Sequence, residues 1–152
     1  MKADNDTYYS AKERVFYWCN IISPILVGTV AYLLFRSDTY ISQTLYRLFP
    51  WLKNCSLEYL EQFPWITALC RNFLPDILWA YALTYAVALL WLPERKISWQ
   101  VLMICIPFEV GVELCQKVGF MSGTFDWLDI ILEICATVLA ALIIKAKKEK
   151  EK

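Results

Sequence analysis

Three polar residues recur at helical spacing in an apolar stretch of this sequence. Glu109, Glu113 and Gln116 stand at positions i, i+4 and i+7, which places all three on one face of a helix. Carboxylates on a shared face can serve as general acid and base, hold a divalent cation through their oxygens, or mark a path for protons or ions. Such groups are costly in a membrane helix, where one Asp at the centre costs about 2.5–3.5 kcal/mol.

A second acidic stripe follows about ten residues farther along the chain. Asp126, Asp129 and Glu133 stand at i, i+3 and i+7, so they also share a helical face. The connector between the two stretches, residues 117–126, is short, and short connectors join antiparallel neighbours. Both polar faces then reach the same end of the protein, where Asp76 opens an earlier apolar stretch. The sequence therefore predicts an acidic binding cleft at that end.

Two basic residues are the nearest candidate counter-charges for this cleft, Arg71 and Lys117. Some of the acids must be paired, protonated, hydrated or bound to a cation, because like charges at close range oppose one another. Asp76, Asp126 and Asp129 lie in first turns of helices, where an acid gains about 0.3–1 kcal/mol and can cap free N–H groups. For the three deeper glutamates, the structural alternative is hydrogen bonding between helices.

The elements that carry these residues are long enough to cross a bilayer. The chain has 152 residues and is 59% hydrophobic, against about 45–50% in ordinary soluble domains. A membrane-spanning helix needs about 20 mostly apolar residues. Four stretches meet this requirement, at residues 15–35, 75–92, 97–116 and 127–144. We therefore predict an all-α fold, a single integral membrane domain built as a four-helix bundle.

Residues 37–74, between the first two predicted spans, have a mixed character. They are too polar to cross a membrane and too rich in Leu, Phe, Trp and Tyr to be a free loop. Apolar residues recur there at helical spacing, at Ile41, Leu45, Leu48 and Phe49. This pattern predicts an amphipathic helix at the outer interface that ends at Pro50, with a second short helix between Ser56 and Leu69.

The distribution of Lys and Arg predicts the orientation of the chain. Four spans put both termini on one side, and the terminal segments together with the turn at residues 94–98 carry ten of the 15 basic residues. Short cytoplasmic segments carry the excess of positive charge. We therefore predict a multi-pass protein of the cell membrane with both termini cytoplasmic, residues 145–152 as a basic cytoplasmic tail, and the acidic cleft on the outer side.

Several kinds of site are excluded or left open by composition. The chain has no His, so His-activated nucleophiles, His metal ligands and His pH switches are excluded. Basic residues are sparse outside the C-terminal tail, which argues against nucleic acid as a partner. Four of the six cysteines lie in apolar stretches, where cysteine acts as a small hydrophobe. The sequence leaves open whether Cys55 and Cys70 form a disulfide.

Two motifs in the C-terminal half resemble the VanZ-like membrane proteins. Residues 113–116 read E-L-C-Q and residues 125–130 read F-D-W-L-D-I, matching the family's E-x-x-Q and F-D-x-x-D-[IL] motifs at the family's spacing of about ten residues. Asp76 is a weaker match to an Asp that opens an earlier span of the family. The resemblance implies a bacterial membrane protein associated with resistance to glycopeptide antibiotics of the teicoplanin type.

The chain also departs from the family pattern at four positions. Thr124 stands where the family commonly has Arg, Ala80 where it has His, and Glu133 and Ala136 where it has Asn and then Gly. Loss of the Arg and the His makes the cleft more acidic than in the family. This difference argues against an inherited role in binding anionic headgroups.

Three functions fit these residues. In the first, the protein is not an enzyme and binds an envelope lipid, a lipid-linked precursor or an antibiotic at the outer leaflet. This binding contributes to resistance against antibiotics or envelope stress. The second is an intramembrane enzyme that acts on a lipid-linked substrate. Its acid and base, or the ligands of a divalent cation as its one possible cofactor, would be Glu113, Asp126 and Asp129. The sequence contains no nucleophile motif or phosphate-binding loop that would support this enzyme. The third is cation or proton conduction, for which the apolar residues 97–106 would require a homo-oligomer to complete the path.

Overall fold

The computed structural model describes residues 11–35, 40–51, 63–91, 97–121 and 124–150. All regular secondary structure in these ranges is helical, which confirms the all-α part of the predicted fold class. The described residues form six α-helices: α1 (Ala11–Phe35), α2 (Tyr40–Leu48), α3 (Pro64–Asn72), α4 (Leu74–Trp91), α5 (Ile97–Lys117) and α6 (Trp127–Lys150).

Four stretches of the described helices are long and apolar enough to cross a membrane, as predicted. They cover Lys12–Phe35, Pro64–Leu90, Trp99–Lys117 and Trp127–Lys147. Their agreement with the four sequence-derived spans supports a multi-pass membrane protein.

The second span begins at Pro64 rather than at residue 75, because α3 leads directly into α4. The N–H of Phe73 donates to the carbonyl of Leu69 at 3.0 Å, and the N–H of Ile77 donates to the carbonyl of Phe73 at 3.0 Å. Pro75 has no N–H to give to the preceding turn, so the two helices remain distinct. The second stretch that is apolar and long enough to cross a membrane thus begins within the segment that we predicted to lie at the interface.

A helix is present as α2 where we predicted one after the first span. The hydroxyl of Tyr46 donates to the carbonyl of Leu33 at 2.7 Å and ties α2 to the last turn of α1. Carbonyls in the last turn of a helix have no partner within the helix, so this bond satisfies one of them. The proposed pairing of Cys55 with Cys70 involves residue 55, which lies outside the described residues.

The basic segment after the fourth span continues α6 as far as Lys150. Lys145 and Glu149 lie one turn apart there, with Nζ and Oε1 separated by 4.0 Å. The ammonium group of Lys147 lies 3.4 Å from the centroid of the Phe16 ring, which brings the end of α6 against the start of α1. The predicted basic tail is therefore helical as far as Lys150.

Helix α4 occupies the centre of the bundle and packs against α1, α3, α5 and α6. Helices α5 and α6 also pack against each other, so α4, α5 and α6 form a three-helix unit with α1 added on α4. A glycine allows the close approach of α1, since a Cβ atom at Gly28 would lie 3.3 Å from Cδ1 of Trp79 on α4. Small residues at helix contacts are typical of membrane proteins.

The apolar core lies in one half of the bundle. It is formed near the start of α1, the end of α4, the start of α5 and the end of α6. Its buried residues are Tyr17, Ile21, Tyr85, Ala88, Val101, Cys105, Ala140 and Ile144. All of these lie at the end of the bundle that carries both termini, which leaves the opposite half for the acidic residues.

Candidate functional site

Glu109 lies at the meeting point of α4, α5 and α6. Its side chain is 4% exposed, and the hydroxyl of Thr137 on α6 bonds to its Oε1 atom. The hydroxyl of Thr84 on α4 lies 3.2 Å from that of Thr137 and 2.9 Å from the carbonyl of Ala80. The Oε2 atom of Glu109 is buried and has no hydrogen-bond partner among the described residues. The carboxyl group is therefore fixed through one oxygen only.

Glu113, one turn farther along α5, has a comparable environment. It is also 4% exposed, and the backbone N–H of Asp126 donates to its carboxylate. Its Oε2 atom is buried without a hydrogen-bond partner in the part of the chain that the structure describes. The start of α6 thus positions a carboxylate of α5.

Glu133 is the residue of the acidic stripe on α6 that interacts with both of these glutamates. It is half-buried and close enough to Glu109, Glu113, Asp76 and Asp129 to interact with all four electrostatically. Its Oε2 atom is buried and lacks a hydrogen-bond partner among the described residues. Electrostatic interactions therefore link acidic groups of α4, α5 and α6.

The remaining predicted residues lie near the start of α4, the end of α5 and the start of α6. Asp76, Asp129 and Gln116 are half-buried, whereas Asp126 is exposed. The Oδ1 atom of Asp126 accepts a hydrogen bond of 2.9 Å from the N–H of Leu128 and so caps α6. Capping therefore accounts for this carboxylate, as the structural alternative proposed.

The two predicted counter-charges lie at the same end of the bundle. Arg71 is exposed near the end of α3. The ammonium group of Lys117 lies 4.7 Å from the ring centroid of Phe125 and 5.6 Å from that of Trp127. Cations are attracted to aromatic faces at such distances. The rings therefore hold Lys117 at the entrance of the cleft.

Sequence reasoning missed two polar residues of the site, Thr84 and Thr137. Both are completely buried and join Glu109 to α4. Both are uncharged residues within apolar stretches, and they do not stand out there as the acidic residues do. A signal was nevertheless present, since Thr137 continues the stripe of Asp129 and Glu133 at the next i+4 position.

Within the described ranges, no group of three or more Cys, Asp or Glu side chains comes together closely enough to hold a metal ion. The carboxylates instead follow one another in depth, from Asp126 at the exposed rim to Glu109 beside the buried threonines.

A second polar group lies between α1 and α4 in the opposite half of the bundle. The hydroxyl of Tyr81 donates to Oδ1 of Asn20 at 2.8 Å and lies 3.3 Å from the hydroxyl of Tyr85. The side-chain N–H of Asn20 donates to the carbonyl of Phe16 at 2.9 Å. These groups satisfy one another, so they are explained by helix packing alone.

Comparison with protein-family models, curated proteins and solved structures finds no match to this chain. The resemblance to VanZ-like proteins thus rests on the two motifs of the cleft.

Proposed function

We propose that this chain is a VanZ-like multi-pass protein of the bacterial cell membrane that binds an envelope lipid, a lipid-linked precursor or an amphiphilic antibiotic at the outer leaflet. Binding takes place in the acidic cleft between α4, α5 and α6. The observation that carries the proposal is the state of Glu109 and Glu113, each almost fully buried with an Oε2 atom that has no hydrogen-bond partner in the described chain.

Buried oxygen atoms without a hydrogen-bond partner lower the stability of the folded protein. A buried polar group without a hydrogen bond costs about 1–3 kcal/mol, and more if it is charged. A folded protein that needed these residues only for packing would gain stability by replacing them with apolar side chains. A binding site has a different requirement, because its ligand supplies the missing partners. Two such groups on adjacent turns of α5 are therefore best explained by a ligand.

The outer end of the cleft offers a surface for the apolar part of such a ligand. Val118, Phe120 and Trp127 are strongly exposed there, and Phe120 alone is 84% exposed. Aromatic side chains at this level prefer the boundary between headgroups and acyl chains. An amphiphile can contact these residues while its polar group enters the cleft.

The opposite half of the bundle supports binding over conduction. Beyond Thr84, the contacts among α4, α5 and α6 include buried apolar side chains of each helix, such as Ala88, Val101 and Ala140. The described polar chain therefore ends midway through the bundle. A closed inner end suits a site that holds its ligand at one leaflet.

The test is resistance in bacterial cells. We expect that Glu113→Gln combined with Asp129→Asn abolishes any protection that the protein gives against a glycopeptide antibiotic, measured as the inhibitory concentration at equal expression. Glu149→Gln is the matched control, because Glu149 is an exposed glutamate of α6 far from the cleft. Unchanged protection in the double variant would contradict the proposal.

A further inference from the structure

Basic residues of two helices lie at the end of the bundle that carries both termini. Helix α1 has two of them in its first turn, and α6 has three in its last two turns. Together these residues form a basic band: Lys12, Arg14, Lys145, Lys147 and Lys150. All of them have exposed side chains except Lys147, which is half-buried. The acidic residues beside them in the described parts of α1 and α6 are Glu13 and Glu149, so the band is net basic.

A contact between the two helices sets the level of the basic band. The ammonium group of Lys147 lies 3.4 Å from the centroid of the Phe16 ring, where cations are attracted to the aromatic face. At a rise of about 1.5 Å per residue, Lys12 lies about 6 Å beyond Phe16 along α1. On α6, Lys145 lies about 3 Å before Lys147 and Lys150 about 4.5 Å after it. The charges therefore occupy a layer about 9 Å deep.

The apolar stretches and two tryptophans favour a membrane boundary at this level. The first stretch that is apolar and long enough to cross a membrane begins at Lys12, and the fourth ends at Lys147. At the same end, Trp18 on α1 is 51% exposed and Trp99 on α5 is 72% exposed. Tryptophan is enriched at membrane interfaces, and the headgroup region on each side of a bilayer is about 5–8 Å thick. The basic band thus has the position and nearly the depth of a headgroup layer.

We infer that the basic band binds the anionic headgroups of membrane lipids, with its lysine and arginine side chains contacting the lipid phosphates. Basic residues beside a membrane span are attracted to anionic lipids, and each one strengthens the binding about fivefold. Their long side chains reach the headgroups while the methylene groups stay against apolar surface. A lipid surface does not require side chains to converge on one point, so charges spread over two helices suit it.

The opposite end of the bundle lacks this excess of positive charge. Its described basic residues, Arg47, Arg71 and Lys117, are accompanied by the acidic stripes of α5 and α6. Anionic lipids should therefore bind preferentially at the basic band. Because the band lies at the end opposite the acidic cleft, its lipid binding is separate from the proposed function.

Lipid binding can be measured on the full chain in a nonionic detergent, through the thermal unfolding temperature. We expect dioleoylphosphatidylglycerol to raise this temperature at a concentration at least about tenfold lower than dioleoylphosphatidylcholine requires. The preference should disappear in about 1 M salt, where the Debye length falls to about 3 Å. Equal effects of the two lipids, or a preference that persists in high salt, would overturn the inference.

A soluble compound separates lipid from free phosphate. Glycerophosphoglycerol is the deacylated form of phosphatidylglycerol and carries the same phosphodiester. We expect it to leave the unfolding temperature unchanged at concentrations where phosphatidylglycerol saturates, because only the acyl chains hold the phosphate at the level of the band. Equal stabilisation by the deacylated compound would show that the band binds soluble phosphates, and it would overturn the assignment to lipid.

Substitutions test the residues of the basic band. Combined Arg14→Gln, Lys145→Gln and Lys150→Gln removes three exposed charges, and we expect the preference for phosphatidylglycerol to fall at least about tenfold. The matched control, Arg14→Lys with Lys145→Arg and Lys150→Arg, keeps the charges and should keep the preference. Arg47→Gln removes an exposed charge at the opposite end and should also keep it.

An unchanged preference in the triple glutamine variant, with its helicity verified by circular dichroism, would refute the role of the basic band. If that variant does not fold, the comparisons of lipids and salt on the unaltered chain decide the question.

Discussion

Glu109 and Glu149 show how one residue type takes different roles in the same chain. Glu149 is exposed on the last turns of α6 and lies 4.0 Å from Lys145, an arrangement that contributes little to stability. Glu109 is buried among three helices and bonds to Thr137. Because burial of a carboxyl group is costly, only the second glutamate needs a structural or functional reason.

The contribution of the Thr137 hydroxyl to stability can be tested by substitution. Thr137→Val preserves the shape of the side chain but leaves the buried Glu109 carboxyl without its described hydrogen bond. We expect the free energy of unfolding to fall by about 1 kcal/mol, as is usual for one hydrogen bond within a membrane protein. Thermal unfolding in detergent measures the change.

Two matched variants complete that prediction. Thr137→Ser retains the donor and should lose much less stability than Thr137→Val. Thr29→Val makes the same substitution at an exposed position of α1 and should have almost no effect. Equal losses at positions 137 and 29 would show that the hydroxyl of Thr137 does not support Glu109.

At the scale of the helices, the contact between α1 and α4 depends on a glycine. A Cβ atom at Gly28 would lie 3.3 Å from Cδ1 of Trp79 and 3.6 Å from Cβ of Leu78. Alanine at this position requires only a small shift of the Trp79 ring. A larger side chain must push the helices apart or displace the ring.

We therefore expect Gly28→Leu to lower the free energy of unfolding by about 1–3 kcal/mol, the usual range for overpacking. Gly111→Leu is the control, because a Cβ atom at Gly111 has nothing within 4 Å. Both substitutions replace a helical glycine, so both gain the same helix propensity, and only the α1–α4 contact differs. A lower thermal unfolding temperature for Gly111→Leu than for Gly28→Leu would contradict this explanation.

The whole molecule is divided between an apolar half and an acidic half. The apolar core lies at the end that carries both termini, and the acidic groups lie toward the connector between α5 and α6. The protein therefore has an apolar core at one end and its acidic residues at the other. Which side of the membrane that is follows from the charges of the short segments.

Orientation is the prediction that belongs to this scale. In a variant without its native cysteines, Phe120→Cys should react with an impermeant maleimide added outside intact cells. Glu149→Cys should react only after the membrane is permeabilised. The opposite pattern would put the acidic cleft on the cytoplasmic side and would remove the proposed role at the outer leaflet.

The sequence by itself determined the all-α class, the four stretches that are apolar and long enough to cross a membrane, and the two acidic stripes. Spans are set by length and hydrophobicity, and the stripes by the helical period, so both are local properties of the chain. The short connector also predicted that α5 and α6 pack side by side, which the structure shows. Helix α2 was predictable from its amphipathic pattern.

Only the tertiary structure decided which helices touch and how each carboxyl group is held. Lipid and the buried faces of membrane helices are equally apolar, so the sequence pattern does not reveal that α4 is central. Thr84, Thr137 and Glu109 come from three separate helices, and their hydrogen bonds depend on that packing. This three-helix contact fixes which oxygen of Glu109 is bonded and which has no hydrogen-bond partner among the described residues, because no single helix contains both partners.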